Sequence, residues 1–504
     1  VSVNGQVLSN RIYFTRVSDK DGEQPSKVVT DFTVSDPAKK YGIQVWKVDK
    51  ELDKSETIGG KDHKISETGT TLEGVQFSII NRSATAIKYG DKTVNPGEEV
   101  TKITTSWNSN LKKYTAQTDE RTLPYGTYGV QEISSSQGYK MTDGTEKTVV
   151  CHGADGTMYT PDLDANLKFP NQVVRGDYSV RKKSDEGKSI SAAFKVTNEA
   201  TGETHVIVTD KNGEFDSTDN KHSKNTNAND KLLKGYTKDT VLKSSDFDLD
   251  AGVWFGQGED GSVAKADDSL GAFYYGKYKI EELRSDSNKG LKLISTDFTI
   301  TKDGKKINAG TLTDESEPSI GTKAKDEATG TNVASATDDV TIIDTVNYEH
   351  LDRGKYKLTA VLMDKATKAA ILDKDGKEVT ASKVFSNTTK SGTVDVEINI
   401  NAAELSLAGK DVVVFETLTS EADGTTIAVH HDINDEGQTI KFPEIKTKAS
   451  DATTGSNIVE AKEDMKIKDT VSYKNLIKGK TYTMIGKLMD KETGKVVLDD
   501  DGKE

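Results

Sequence analysis

Apolar and polar residues alternate in many short segments of the chain, for example in IQVWKVDK, ISAAFKVTN and VTIIDTVNY. Because successive side chains of a β-strand point to opposite faces, this period of two predicts half-buried strands. Hydrophobic residues make up only 33% of the 504 residues, and Thr, Val, Gly and Asp recur throughout the segments. The pattern therefore predicts an all-β chain of about three or four small sandwich domains with thin cores, arranged in an elongated array.

Three polar side chains fall on the apolar face of predicted strands between residues 41 and 174. Each comes two residues after an apolar residue: Lys47, Glu132 and Asn171. Burial removes the charge of a Lys, which makes its amine nucleophilic, and it keeps the proton on a Glu. An adjacent Asn amide can then be attacked with loss of ammonia. A lone Lys on a strand is usually exposed, so it is the trio that indicates chemistry.

The order of short motifs in this region resembles the prealbumin-like B-type domains of Gram-positive collagen adhesins and pilins. The motifs are VWKVD at Val45–Asp49, LEGVQF at Leu72–Phe77, YGTYGVQE at Tyr125–Glu132, and a final Asn. The resemblance implies a domain over residues 41–174 with an isopeptide bond between Lys47 and Asn171. Its catalyst would be Glu132, which would carry the proton.

A second domain of the same kind is predicted for residues 175–317. YSVRKKSD carries Lys182 at the position of the reactive Lys, and YYGKYKIEEL carries Glu282 at the position of the catalytic Glu. Two places depart from the pattern, because Ser184 replaces an Asp and Asp314 stands where Asn is usual. The family includes Lys–Asp bonds formed with loss of water, so Asp314 is the preferred acceptor and Asn308 the alternative.

An insert over residues 216–250 interrupts the second domain. It is rich in Asn, Asp, Lys and Ser, which is typical of a loop or an extended surface feature. The stretch WFGQGEDGS follows it and places Trp254 and Phe255 beside flexible polar residues. We expect these two aromatic residues to plug the core under the loop rather than to form a ligand-binding lip.

A third region, Asp411–Ile445, places reactive groups on two predicted strands. Glu416 ends an apolar run, and His430 and Gln438 lie on the segment that follows. Apolar surroundings raise the pKa of a Glu, and a protonated Glu can donate a hydrogen bond to an amide carbonyl. A nearby hydroxyl that loses its proton to a His could then displace ammonia from the Gln amide, which would leave an intramolecular ester.

This region resembles the VaFE-repeat surface proteins of Gram-positive bacteria, whose β-sandwich domains carry a self-formed Thr–Gln ester. Val413–Glu416 match the signature Val-x-Phe-Glu, and His430–Thr439 match the block His-x-Asp followed by Gln-Thr. The resemblance implies an immunoglobulin-like ester-bond domain over residues 318–444.

The same resemblance assigns roles to five residues. Thr322 in PSIGTKAKD is the nucleophile that attacks Gln438, and His430 handles its proton. Glu416 and Asp344 polarise and orient the amide.

An internal repeat follows this domain, because the segment that begins at Pro318 recurs from Pro443. Thr447 and Asp469 occupy the positions of Thr322 and Asp344. Residues 445–504 are therefore interpreted as a truncated second VaFE domain without its own Glu, His and Gln, so that no ester is expected on Thr447 within this chain. Residues 1–40 are interpreted as the tail of a preceding domain or a linker.

Charge and cysteine content narrow the function classes. The formal net charge of −14 argues against a nucleic-acid partner, and the chain has one Cys, so an internal disulfide is excluded. No stretch of 18 apolar residues is present, which argues against membrane insertion in this segment. His430 and His431 point to opposite faces of a strand, which disfavours a metal site. We expect no cofactor, and a buried structural thiol at Cys151.

These observations and resemblances indicate the structural stalk of a bacterial cell-wall-anchored adhesin or fimbrial protein, with no enzymatic turnover. Its expected partners are an unidentified host surface protein or glycan, and peptidoglycan through a sortase signal outside this segment. Three alternatives stay open at this point. They are a sortase-polymerised pilin subunit, a host-ligand-binding module that uses the insert, and a secreted hydrolase built on Thr322, His430 and Asp344.

Overall fold

The computed structural model describes residues 2–3, 6–7, 40–59, 69–119, 122–153, 156–219, 227–476, 478–498 and 502–503. The expected N-terminal tail lies outside the described residues, except for the strand pair β1 (Ser2–Val3) and β2 (Gln6–Val7). The chain forms two compact units, Val1–Ser316 and Glu317–Glu504. All regular elements in the described part are β-strands or short 3₁₀ helices, which confirms the predicted all-β class. None of the helices described is long and apolar enough to cross a membrane.

The first sandwich of unit 1 begins at residue 40. Its strands are β3 (Lys40–Asp49), β4 (Gln76–Asn81), β5 (Ile87–Tyr89), β6 (Lys92–Val94), β7 (Glu99–Thr104), β8 (Ser106–Asn108), β9 (Lys113–Gln117), β10 (Leu123–Pro124), β11 (Gly126–Ser134), β12 (Tyr139–Met141), β13 (Lys147–Cys151), β14 (Met158–Tyr159) and β15 (Lys168–Val173). One sheet has the order β12-β15-β3-β9-β8, with β10 and β14 also on β3, and the other has the order β13-β11-β4-β7. A 3₁₀ turn, Ala165–Leu167, precedes β15. The first long strand and the last, β3 and β15, are parallel neighbours.

The second sandwich repeats this arrangement. Its strands are β16 (Arg175–Ser184), β17 (Ala193–Asn198), β18 (Thr204–Val208), β19 (Glu214–Asp216), β20 (Phe273–Tyr274), β21 (Gly276–Glu282), β22 (Ser295–Ile300) and β23 (Lys306–Asp314). One sheet has the order β19-β16-β20 with β23 also on β16, and the other has the order β18-β17-β21-β22. The first and last strands, β16 and β23, are again parallel neighbours.

The insert is a folded cover rather than an extended loop wherever the structure describes it. It contains the 3₁₀ helices Ala228–Leu233 and Ser244–Asp246, and a third, Asp286–Asn288, follows β21. Leu232 and Phe247 are buried with Val206 and Val208 in a separate small core on β17 and β18. The sequence pattern missed this cover because 3₁₀ segments are too short to show a helical period.

The ester-bond region of unit 2 is a sandwich of two sheets. Its strands are β24 (Ser319–Asp326), β25 (Asp339–Glu349), β26 (Gly354–Asp364), β27 (Ala369–Ala370), β28 (Thr380–Asn387), β29 (Gly392–Asn401), β30 (Asp411–Ser420), β31 (Thr426–His430) and β32 (Thr439–Lys441). One sheet has the order β24-β25-β29, and the other has the order β27-β26-β30-β31, with β28 on β26 and β32 on β30. Apolar side chains from both sheets form one core between them.

The repeat that follows begins in the same way. β33 (Glu444–Asp451) and β34 (Ile467–Lys474) form an antiparallel pair in which Thr447 faces Val471 and Ala449 faces Asp469. The corresponding positions of β24 and β25 have the same register. The second copy therefore starts with the same strand pairing as the first.

A buried tyrosine fixes the start of each Glu-bearing strand in unit 1. The hydroxyl of Tyr128 donates to the carbonyl of Pro124 at 2.8 Å, and that of Tyr278 donates to the carbonyl of Tyr274 at 2.7 Å. Such a bond ties the corner to the strand that follows it. In both sandwiches the Glu of interest lies four residues beyond this tyrosine, on the inner face.

Candidate functional sites

The first site joins three buried side chains in the core of the first sandwich. Lys47 on β3 donates to Glu132 Oε2 at 2.6 Å, and Asn171 on β15 donates through Nδ2 to Glu132 Oε1 at 2.7 Å. The exposed fractions are 0% for Lys47, 3% for Glu132 and 0% for Asn171. Glu132 reaches this pair from β11 of the opposite sheet. One carboxyl group therefore bridges an amine and an amide that lie on neighbouring strands.

Burial also tunes the reactivity of this site. Desolvation lowers the pKa of the Lys47 amine to about 8, although Glu132 partly opposes the shift by attracting the charged form. The neutral, nucleophilic amine is therefore accessible near neutral pH. The Oδ1 atom of Asn171 is buried and has no hydrogen-bond partner among the described residues.

Asp49 is a further buried carboxyl group on β3, directly beside Asn171 across the two strands. Desolvation raises the pKa of Asp49 to about 6, and the hydroxyl of Tyr139 donates to its Oδ2 at 2.7 Å. Its Oδ1 accepts from the backbone N–H groups of Glu51 and Leu52 at 2.7 and 2.8 Å. These bonds fix the turn after the strand that carries the amine.

The second site has the same layout with an acid in place of the amide. Lys182 on β16 lies 3.0 Å from Glu282 Oε2 and makes a close ion pair with Asp314 Oδ1. All three side chains are buried, and desolvation raises the pKa of Asp314 to about 7. Asn288 donates to Glu282 Oε1 at 2.9 Å, which orients the carboxyl group. The amine therefore contacts both the acid that could be its acceptor and the acid that could carry the proton.

The alternative acceptor lies elsewhere. Asn308 is exposed, faces Ser179 in the register of β16 and β23, and accepts from the backbone N–H of Gly310 at 2.8 Å. Asp314 instead faces Ser184, two residues beyond Lys182. The geometry favours Asp314 as the partner of the amine.

The third site connects the two sheets of the ester-bond sandwich. Thr322 on β24 donates from its hydroxyl to Glu416 Oε2 at 3.1 Å, and the same hydroxyl oxygen is in direct contact with the side-chain amide of Gln438. Gln438 and Glu416 are completely buried. Gln438 immediately precedes β32, and Glu416 lies on β30 of the same sheet.

The amide of Gln438 can face Glu416 with either end. With its nitrogen toward the carboxyl group, it donates to Glu416 Oε1 at 2.9 Å, and its oxygen accepts from Thr322. With its oxygen toward Glu416, the nitrogen donates to Asp344 Oδ1 at 3.4 Å. The first orientation also lets the amide nitrogen donate to the carbonyl of Val414, so it satisfies more partners. The second orientation requires a proton on Glu416, because two acceptor oxygens would otherwise face each other.

Two buried carboxyl groups make that proton available. Desolvation and the adjacent Asp344 raise the pKa of Glu416 to about 11, so this carboxyl group is protonated at neutral pH. Desolvation also raises the pKa of Asp344, while its hydrogen bond to Glu416 and the neighbouring His430 favour its charged form. Two neighbouring carboxylates in a buried site disfavour each other's charged form, so one of the two carboxyl groups keeps a proton.

His430 is held by a residue that sequence reasoning did not single out. Its Nε2 lies 2.8 Å from Asp435 Oδ2, and it faces Glu416 across β30 and β31. Asp435 also accepts at Oδ1 from the N–H of Gly437 at 2.7 Å, and its backbone carbonyl accepts from the N–H of Gln438 at 3.3 Å. One Asp thus links the imidazole to the loop that carries the amide. The sequence feature that could have identified Asp435 is its position three residues before Gln438.

His431 lies outside this site. Its ring stacks on Phe415 with centroids 5.0 Å apart, and its Nε2 lies 3.1 Å from Thr417 Oγ1. The two histidines therefore point to opposite faces of the sheet, as the alternation of a strand requires. In the second repeat, Thr447 and Asp469 are both exposed.

Two known families match parts of the chain. Residues 318–442 and 443–504 match the T-Q ester bond containing domain, and residues 61–163 match the SpaA prealbumin-like fold domain. The chain therefore contains T-Q ester-bond domains and a prealbumin-like domain, which confirms the resemblance of residues 318–504 to ester-bond domains and that of the first sandwich to prealbumin-like domains. No curated protein matches the chain.

Several solved structures are similar over parts of the chain. The Bacillus anthracis TIE protein is 14% identical, with a TM-score of 0.29, over 81% of this chain and 49% of that one. This chain thus spans about half the length of that protein. A Mobiluncus mulieris adhesin containing intramolecular disulfide, isopeptide and ester bond cross-links is 14% identical, with a TM-score of 0.22, over 32% of this chain and 75% of that one. A variant of the major pilin subunit of Bacillus cereus is 13% identical, with a TM-score of 0.28, over 59% and 84%.

Proposed function

We propose that this chain is the stalk of a bacterial cell-surface adhesin or fimbrial protein, and that its sandwiches crosslink themselves. The proposed bonds are Lys47–Asn171, Lys182–Asp314 and Thr322–Gln438. The observation that carries the proposal is the same arrangement at three places. At each place a nucleophilic side chain either contacts a side-chain amide or acid directly or is linked to it through a buried carboxyl group that both of them contact. One buried oxygen of each of Asn171, Asp314 and Asp344 has no hydrogen-bond partner among the described residues. This supports a chemical role, because such atoms are costly in a purely structural core.

The isopeptide step follows from the first site. The neutral amine of Lys47 attacks Asn171 Cγ, a new C–N bond forms, and the bond from Cγ to Nδ2 breaks. Glu132 takes a proton from the amine and delivers it to the departing nitrogen, which leaves as ammonia. At the second site the amine of Lys182 attacks Cγ of protonated Asp314, a new C–N bond forms, and the bond from Cγ to the hydroxyl oxygen breaks. Glu282 passes one amine proton to that hydroxyl, which leaves as water.

The ester step needs more help because a hydroxyl is a weaker nucleophile than a neutral amine. Thr322 Oγ1 attacks Gln438 Cδ while protonated Glu416 donates to the amide oxygen. The bond from Cδ to Nε2 breaks, and the hydroxyl proton passes through His430 or Asp344 to the ammonia that leaves. Each site consumes its own nucleophile, so every reaction runs once and there is no turnover.

The strand positions give the bonds a mechanical use. In both sandwiches of unit 1 the joined residues lie on the first and last long strands. A pulling force that enters on β3 and leaves on β15 would pass through the Lys47–Asn171 bond, and the strands between them would carry little load. The chain-entropy model adds a stabilisation of about 5 kcal/mol for loops of this length.

The remaining features of the proposal are location and partners. A chain with one buried Cys lacks internal disulfides, so self-formed bonds would supply the covalent support outside the cell. We place the protein on the bacterial surface, attached to peptidoglycan through a segment outside this sequence, with a host protein or glycan as the final target.

Intact mass measurement of the full chain tests the proposal. Complete crosslinking predicts a mass below the sequence value by two ammonia molecules and one water. Digestion should yield three branched peptides that contain the joined pairs. The triple variant Lys47→Ala, Lys182→Ala, Thr322→Ala serves as the control and should show no deficit after allowing for the substitutions. A wild-type chain at the full sequence mass would overturn the proposal.

A further inference from the structure

A buried arginine connects the two sandwiches of unit 1. Arg175, the first residue of β16, is 1% exposed, and its guanidinium binds Glu51 of the first sandwich through two parallel bonds of 2.7 Å. The same group donates to the carbonyl of Phe255 at 2.8 Å and lies 3.7 Å from the ring centroid of Trp254. Paired and stacked on all sides, this cation is held in one geometry.

The residues that cover the arginine belong to the segment after the insert, residues 253–260, which we call the bracing segment. Its near end is fixed to the second sandwich. Glu203 accepts from the N–H groups of Gly256 and Gln257 at 2.9 and 3.2 Å. Asn227 exchanges two bonds with the backbone of Trp254, at 3.0 and 2.9 Å.

The far end of the bracing segment contacts the first sandwich. Gly258 forms an antiparallel bridge with Ile58, and the N–H of Glu259 donates to the carbonyl of Thr57 at 3.2 Å. Beyond it, Asp260 makes an ion pair with Lys54. The segment thus reaches from one sandwich to the other.

An apolar core also continues across the junction. Six buried residues from the first domain pack in one cluster with the core of the second: Ile58, Leu72, Tyr114, Tyr139, Val173 and Val174. Phe255 of the bracing segment is completely buried in this cluster. Domains in one chain usually move relative to each other unless their interface is large and hydrophobic. The shared apolar cluster gives the junction here a hydrophobic interface.

We propose that the bracing segment is an interdomain brace that makes the two sandwiches of unit 1 one rigid body. Arg175, Glu51 and Trp254 form its centre. This inference deepens the proposed stalk function, since a rigid joint would transmit direction as well as tension, but its test does not depend on any crosslink. In this role the side chains of Trp254 and Phe255 pack in the interior of unit 1 and are not exposed to a ligand.

Distance measurement between spin labels on the full chain tests the brace. Labels at Lys102→Cys in the first sandwich and Lys289→Cys in the second sit at exposed positions, while the native Cys151 is buried. We expect one narrow distance distribution. Glu51→Gln and Arg175→Met should each broaden it at least about twofold, because the default between domains is relative motion. Trp46→Ala should leave it unchanged, since Trp46 stacks with Lys113 away from the junction.

Two results would overturn the brace: a broad distribution in the otherwise unaltered chain, or narrow distributions in both variants. Amide exchange on β3 and β16 shows whether each variant keeps its folded sandwiches, and the two variants alter different sandwiches. The mass deficit separates this inference from the stalk proposal. Crosslinked chains with a broad distribution would refute the brace alone, and uncrosslinked chains with a narrow one would refute the crosslinks alone.

Discussion

The candidate isopeptide site of the first sandwich and the candidate ester site of unit 2 place a nucleophile beside a side-chain amide with different sets of groups. In the first, Lys47 and Asn171 lie on adjacent strands of one sheet, and a single carboxyl group from the other sheet serves both. In the second, Thr322 and Gln438 lie on opposite sheets, and two carboxyl groups and a His surround them. The first bond would join two adjacent strands of one sheet, and the second would join the two sheets of the sandwich.

The difference follows from the nucleophile. A buried amine loses its proton readily, so burial itself activates it and Glu132 only has to relay the proton. A hydroxyl gains nothing comparable from burial, so the amide must be polarised and a base must be held nearby. The number of proton-handling groups therefore increases as the nucleophile becomes weaker.

The largest effect should come from removing the acid of one site at a time. Glu132→Gln and Glu416→Gln keep the shape of each side chain, and each should abolish only its own bond, so that one ammonia is regained in the intact mass. Glu281→Gln, on the strand of Glu282 but partly exposed in surface ion pairs, is the matched control and should change nothing. A bond that forms at full yield without its acid would contradict the mechanism.

The next largest effect should be on stability. Thr322→Val removes the ester and should lower the free energy of unfolding of the ester-bond sandwich by about 5 kcal/mol, since the unfolded chain regains its loop entropy. Amide exchange of peptides from residues 318–442 in denaturant measures it. Thr341→Val is the control, because this threonine bonds Asn399 on an exposed face at 2.7 Å. Equal losses in both variants would argue against an ester.

Substitution of the two histidines should have very different effects on the rate of ester formation. His430→Ala should slow ester formation by about a hundredfold, the usual contribution of a general base, while His431→Ala should change it by less than about twofold. Asp435→Asn should give an intermediate loss because it leaves His430 in place without its anchor. Mass time courses on freshly translated chain measure all three. Equal rates for the two histidine variants would remove His430 from the mechanism.

The smallest effect should be that of pH, which distinguishes the amine nucleophile from the hydroxyl nucleophile. A protonated amine has no free electron pair, and the pKa of Lys47 is lowered to about 8. Formation of the Lys47–Asn171 bond should therefore rise about tenfold per pH unit up to about pH 8 and then level off. The ester contains no amine and should not show this rise. Time courses resolved for each bond over this pH range test it, and a flat profile for the isopeptide would contradict the assignment.

Much of the fold could be predicted because alternation reports directly on strands. The same alternation placed Lys47, Glu132 and Asn171 on inner faces, and the structure brings them together. The insert and Asp435 could not be found this way. Leu232 and Phe247 lie in or beside short 3₁₀ turns that have no repeating pattern, and Asp435 acts through a local loop. Arg175 was missed because a charged residue at a domain boundary resembles any linker residue.

The insert of the second sandwich lies between Lys182 and Asp314 along the chain. If these two residues are joined, the force on a stretched molecule would pass through the bond between them. The residues between Lys182 and Asp314 would then not add to the length of the chain under tension. The insert could then change in length or unfold without changing the end-to-end length of the molecule under tension. A segment in this position can therefore vary in sequence and length while the length of the chain under tension stays constant.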